Sequence, residues 1–286
     1  MTLYIGLDPE WPQYAAPPTL VSRNASRDSD ESDKMRLDAA FRPTRRFDCR
    51  EAHAIYFASD HNRQEHTVGS HSINIGELAI QYICLLFSLC VHEAAHAIMA
   101  NRCGDPSARL MGRATLNPLA HIDPIGTVVM PLLMMSSGIP FLFGWAKPVP
   151  FNPRNLRNIR RDPALIGAAG PVSNFLLAIT FAVVLRVVVT IFGVTPDIAL
   201  GSALLKIALG MMTINLALAL FNSLPIPPLD GGHILHPLLP PEGQRLLEQI
   251  GPFGLVIAVV IGGRLISGPL TFLFDALISL ALWGLA

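Results

Sequence analysis

The sequence predicts an all-α polytopic membrane protein of about five to six transmembrane helices plus a re-entrant segment, three core helices carrying the functional site. Three observations predict it. Only 15% of the 286 residues are charged and 51% are hydrophobic, whereas soluble domains carry about 25% charged residues. Mean hydropathy is +0.44. Several stretches run nearly uncharged for about 20 residues, the length that spans the hydrocarbon core. The formal net charge is zero, so no basic face marks a nucleic-acid partner; the expected surroundings are a lipid bilayer.

Residues 1–72 differ from the rest. They are rich in Asp, Arg, Ser and Pro, as in SRNASRDSDESDKMR, and lack an apolar period; this reads as a polar, disordered tail without a secretory signal. Its histidines, His53, His61, His66 and His71, read as scattered solvated residues. The core, 73–239, opens with ELAIQYICLLFSLCVHEAAHAIMA, one membrane-length helix whose ionisable groups gather near its end. A polar loop with turn signals at Gly104-Asp105-Pro106 and Asn117-Pro118 follows. The next apolar run, 125–145, is broken by Pro131, Gly138 and Pro140, and lies between loops carrying Arg102, Arg109 and Arg113 before it and Lys147, Arg154, Arg157, Arg160 and Arg161 after it. The positive-inside rule places both loops on the cytoplasmic side, so this run is expected to enter the membrane and return. Two further spans come next, 164–193 and 198–229, joined by VTPD; Arg186 and Lys206 can snorkel toward that turn. Residues 240–286 read as a C-terminal membrane hairpin with Arg264 near its apex, and Asp275 is expected to pair with Arg264 or face water. The four cysteines, Cys49, Cys84, Cys90 and Cys103, show no CxxC spacing and read as free thiols.

His92-Glu93-Ala94-Ala95-His96 fits HExxH. Positions four apart share a helix face, so His92 and His96 can present two imidazoles to one zinc ion, with Glu93 beside it to take a proton from water. A hydrogen-bonded helix end at the interface is the bland alternative. Each ionisable residue at mid-membrane costs roughly 2.5–3.5 kcal/mol on insertion scales, and a bound cation would offset that cost. Asp230 of LPIPPLDGG is the best third ligand: Pro225, Pro227 and Pro228 interrupt regular helix, and Gly231 and Gly232 let the backbone pass closely. A turn aspartate remains the alternative, in which case His233 or Glu242 would be examined next.

HEAAH together with NSLPIPPLDGG resembles the site-2 protease family of intramembrane zinc metalloproteases. NPLAHIDPIGT, FGWAKPVP, NPRN and AGPVSN resemble blocks of its compact bacterial branch, which lacks a PDZ domain. The resemblance covers about 73–239. It implies one catalytic Zn2+ held by His92, His96 and Asp230, with Glu93 as base. It implies a substrate or oxyanion role for Asn222, and Asn174 is a second candidate. From the residues alone, both asparagines would more often bond a neighbouring helix. His121 and His233 read as loop or supporting residues.

The function implied is hydrolysis of peptide bonds within or near transmembrane segments, on a single-span membrane protein such as an anti-sigma factor, in the bacterial inner membrane. A zinc-binding membrane protein without protease activity, either a transporter or an inactive scaffold, is the alternative. Transport would favour repeated halves, which the chain lacks, and an intact Glu93 argues against a scaffold.

Overall fold

The computed structural model describes residues 75–136, 144–193 and 199–285. The N-terminal tail, with its histidines and Cys49, and the 194–197 turn lie outside them. The described residues form seven α-helices and no strand, bearing out the all-α expectation. The helices are α1 (Ile75–Arg102), α2 (Ser107–Leu110), α3 (Met130–Ser136), α4 (Asp162–Phe192), α5 (Ala199–Asn222), α6 (Asp230–Leu235) and α7 (Pro241–Leu282). Of these, α1, α4, α5 and α7 contain stretches long and apolar enough to cross a membrane.

Helix α4 packs against both α1 and α5, and α1 also touches α5. The alternation of direction brings the end of α1, the start of α4 and the end of α5 to one end of the bundle. Toward the other end, Ala182, Leu185 and Val189 of α4 meet Leu209 of α5 and Phe274 and Ile278 of α7 in an apolar core. Cys84, Cys90 and Cys103 are buried free thiols.

Among the described residues four helices are long and apolar enough to span, against the five to six expected, because the C-terminal segment is one helix and not a hairpin. Helix α7 is continuous over 42 residues despite Pro252 and Pro269. Its buried positions Gly254, Ala258, Gly262, Ile266, Leu270, Phe274 and Ile278 recur every four residues, and this unbroken ridge packs along α5 and α4. A reversal at Gly262-Gly263 would forfeit half of that contact. At 1.5 Å per residue the helix is about 63 Å long, so it extends beyond a core of about 30 Å. Arg264 and Asp275 are consequently three turns apart, about 16 Å, and form no pair. Arg186 donates to the carbonyls of Ala281 and Trp283, both at 2.8 Å, and so caps the end of α7.

The run 125–145 behaves as the charge pattern requires at its two ends. It begins as a π-helical segment, Pro124–Val129, capped by the Asp123 side chain, and continues into α3. After residues 137–143, which are outside the described part, the chain is back beside its start: Trp145 N–H donates to Gly126 O at 3.2 Å and Lys147 N–H to His121 O at 2.9 Å. Ala146 then packs against Leu78, Leu85 and Leu89 of α1. The flanking loops are also tied together. Arg157 N–H donates to Cys103 O at 3.0 Å, and Asn152 N–H to Asp105 Oδ2 at 2.6 Å.

Candidate metal centre

The HEAAH turn lies in α1, ten residues before Arg102 counted from His92, or about 15 Å along the helix. His92 and His96 are 4% and 7% exposed. Their rings meet edge to face with centroids 4.6 Å apart, and their Nε2 atoms lie 3.0 Å apart. Asp230 opens α6, across the bundle, and reaches them both: Oδ2 is 3.0 Å from His92 Nε2 and Oδ1 is 3.3 Å from His96 Nε2.

The hydrogen bonds behind the rings decide what this cluster can hold. His96 Nδ1 donates to the Ile166 carbonyl at 2.7 Å, and His92 Nδ1 faces Asn174 Oδ1 at 2.5 Å. Both partners are acceptors, so both Nδ1 atoms carry hydrogen. In neutral rings both Nε2 atoms are then bare lone pairs. They point at one another and at a carboxylate. The approach of Asp230 Oδ2 to His92 lacks hydrogen-bond geometry, and that buried oxygen has no other partner. A proton on one ring would relieve a single contact; a cation between the three groups satisfies all of them. Ligand atoms of a tetrahedral zinc site with bonds of about 2.0–2.2 Å lie about 3.4 Å apart, close to the 3.0–3.3 Å found here. His92, His96 and Asp230 thus form the metal-type cluster seen among the described residues, and its donor set fits zinc.

Backbone shape makes room for it. A Cβ on Gly170 of α4 would fall against His96 Nε2 and 2.5 Å from His92 Nε2, so only glycine lets α4 approach the metal-facing edge. The loop into Asp230 contains a cis peptide between Pro227 and Pro228. It folds back so tightly that a Cβ on Gly231 would overlap the carbonyls of Ser223 and Leu224.

Glu93, one residue round from His92, is half-buried. Its Oε2 accepts the Val149 N–H at 3.1 Å. Val149 lies in the irregular stretch that follows the 125–145 run, between two prolines that have no N–H to offer. Asn174 joins the site through His92. Asn222 does not: its amide donates to Leu218 O of its own helix at 3.0 Å, the ordinary use of an amide near a helix end. His121 is fully buried and its Nε2 faces Thr115 O at 2.8 Å, while His233 packs its ring edge near Phe151; neither belongs to the cluster. Sequence reasoning missed Gly170, Val149, Ser88 and Asn215. For the last two the available signal was a polar side chain inside an otherwise apolar span.

A helical bundle built for a bilayer, with an imidazole–imidazole–carboxylate cluster and a neighbouring glutamate, defines the class of membrane zinc metalloproteases. The chain matches Peptidase family M50 over residues 80–206 and 187–261, and it belongs to that family. It is similar to relatives whose names class them as zinc metalloproteases. YwhC of Bacillus subtilis (strain 168) is 38% identical over 179 residues, covering 63% of this chain and 78% of YwhC. Rip2 of Mycolicibacterium smegmatis is 34% identical over 184 residues, covering 62% of this chain and 63% of Rip2. Rip3 of Mycobacterium tuberculosis is 31% identical over 183 residues, but the match spans only 36% of Rip3. No solved structure matches the chain. The protein is therefore a zinc metalloprotease and an integral membrane protein.

Proposed function

We propose that the protein hydrolyses peptide bonds within or near transmembrane segments of other membrane proteins, using His92, His96 and Asp230 as zinc ligands and Glu93 as general base. The observation that carries this is the convergence of two bare imidazole nitrogens and a carboxylate, with Glu93 alongside, on helices of membrane-spanning length. A single-span protein such as an anti-sigma factor, cut in a regulated manner, is the substrate we infer. The setting is a multi-pass position in the bacterial inner membrane.

Zinc held by these residues would supply Lewis acidity toward a carbonyl and lower the pKa of water. The Ile166 carbonyl and Asn174 hold the two imidazoles with Nε2 inward. Val149 N–H fixes the plane of the Glu93 carboxylate through Oε2. Glu93 Oε1 accepts the proton of the attacking water and later delivers it to the leaving amine nitrogen. Asn174 serves by orienting His92, and Asn222, whose amide donates to Leu218 O, is the candidate for holding substrate or the oxyanion. A helical substrate hides its carbonyls in its own hydrogen bonds, so residues that loosen helix near the cut favour cleavage.

Two variants in nanodiscs with a single-span reporter substrate test the assignment. Glu93→Gln should keep bound zinc and lose cleavage by at least about a hundredfold, the usual contribution of a general base. Asp230→Ala should lose zinc and activity together. Cleavage at the wild-type rate by Glu93→Gln, or zinc bound at wild-type affinity by Asp230→Ala, refutes the respective role.

A further inference from the structure

Behind His92 runs a chain of buried polar groups that crosses three helices. Asn174 of α4, Asn215 of α5 and Ser88 of α1 are each 0% exposed. Asn174 Nδ2 donates to Asn215 Oδ1 at 2.8 Å and to Ser88 O at 3.3 Å. Asn215 Nδ2 donates to Met211 O at 2.8 Å and to Ser88 Oγ at 2.9 Å, and Ser88 Oγ donates to Cys84 O at 2.8 Å.

The polarity of this chain is forced. A carbonyl oxygen can only accept. The Met211 carbonyl therefore requires the NH2 of Asn215 on its side, which turns Oδ1 of Asn215 toward Asn174. That oxygen in turn requires the NH2 of Asn174, so Asn174 must present Oδ1 to His92. His92 must then carry its hydrogen on Nδ1 and leave Nε2 bare toward Asp230 and His96. If Asn174 were free to flip, its NH2 would face Nδ1 and favour the opposite tautomer, with hydrogen on the metal-facing nitrogen.

We propose that Asn215 is a positioning residue for the metal centre: by orienting the Asn174 amide it sets the tautomer and ring orientation of His92. Through its Nδ2 bond to Ser88 Oγ it also ties the helix leading toward the Asp230 loop to the helix carrying the histidines, so the two halves of the ligand set are held in register. The inference rests on the metal-centre reading above and adds a residue that touches neither metal nor substrate. Supporting groups of this kind change metal affinity about 10–100-fold when removed.

The test is zinc affinity of the full chain in nanodiscs, by competition with a chromophoric chelator, with the visible spectrum of the Co2+-substituted protein as a second readout. Asn215→Leu removes, at similar volume, the nearer of the two acceptors of the Asn174 NH2, leaving only the Ser88 carbonyl at 3.3 Å, and should weaken zinc at least about tenfold and alter the cobalt spectrum. An aspartate at position 174 offers an acceptor to His92 Nδ1 in either orientation, while its other oxygen faces the Ser88 carbonyl. The double variant Asn174→Asp/Asn215→Leu should therefore bind zinc more tightly than Asn215→Leu alone. Wild-type affinity in Asn215→Leu overturns the proposal. So does a loss that Asn174→Asp fails to rescue, since that would make Asn215 a packing residue. His96→Ala serves as the control: if it keeps wild-type zinc, the metal-centre reading itself fails and this inference falls with it, an outcome distinct from either result at Asn215.

Discussion

Replacing Gly170 by alanine should weaken the metal centre. The added methyl would fall against His96 Nε2 and 2.5 Å from both Cε1 and Nε2 of His92, well inside van der Waals contact. The rings cannot swing aside cheaply, because each is held at Nδ1, by Asn174 and by the Ile166 carbonyl. Overpacking of this kind costs about 1–3 kcal/mol. Losing either ring's hydrogen bond adds about 0.5–1.5 kcal/mol. Alanine's helix propensity returns about 1 kcal/mol. The balance is a loss of about 0.5–3.5 kcal/mol, and the displaced atoms are the ligands themselves. Since 1.4 kcal/mol is tenfold in affinity, zinc should bind about 2- to 300-fold more weakly. Gly210→Ala on α5 is the matched control. Its Cβ would meet nothing within 4 Å, so that variant should bind zinc as wild type and melt at the same or a slightly higher temperature. Zinc content by mass spectrometry and chelator competition decide the matter. Wild-type affinity in Gly170→Ala would refute the argument that α4 must approach the histidines through bare backbone.

Asp105 should give the loops acid sensitivity. Burial pushes its carboxyl up, but side-chain donors Ser107 and Asn155 and the backbone N–H groups of Asn152 and Ser107 outweigh that and hold it at about 2, below the ordinary 3.8. The stability it lends is therefore complete above about pH 4 and lost as pH falls through 2. Asp105→Asn should melt lower at pH 7 and lose less on acidification, and a melting profile identical to wild type at both pH values refutes the role. For topology, single cysteines replacing Arg109 and Arg157, in a variant lacking the four native cysteines, should both be labelled from the cytoplasmic face. The hydrogen bonds between their loops predict a shared face, and labelling from opposite faces would remove the re-entrant arrangement.

What could be read in the sequence was whatever depends on local periodicity and on the cost of charge in hydrocarbon. HEAAH places two imidazoles on one face by helix geometry alone. The uncharged lengths mark the spans, and the arginine-rich loops on both sides of 125–145 require the chain to come back. Asp230 could be nominated because an acid after a proline-broken apolar span needs a partner. The C-terminal hairpin failed for a definite reason: paired glycines and prolines permit a turn, but the four-residue ridge of α7 packs best unbroken, and only the neighbouring helices reveal that. The roles of the amides were likewise undetermined. Asn222 and Asn215 are both asparagines on one apolar helix, separated by two turns, and nothing local distinguishes them. Packing turned Asn215 toward Ser88 and Asn174 and left Asn222 to its own backbone. Gly170 reads in sequence as a small residue before Pro171, yet its α-carbon lies against the metal-facing edge of both histidines. Sequence determined which groups are costly to bury. The tertiary structure decided which of them share a partner, because that depends on the directions in which side chains from three helices converge.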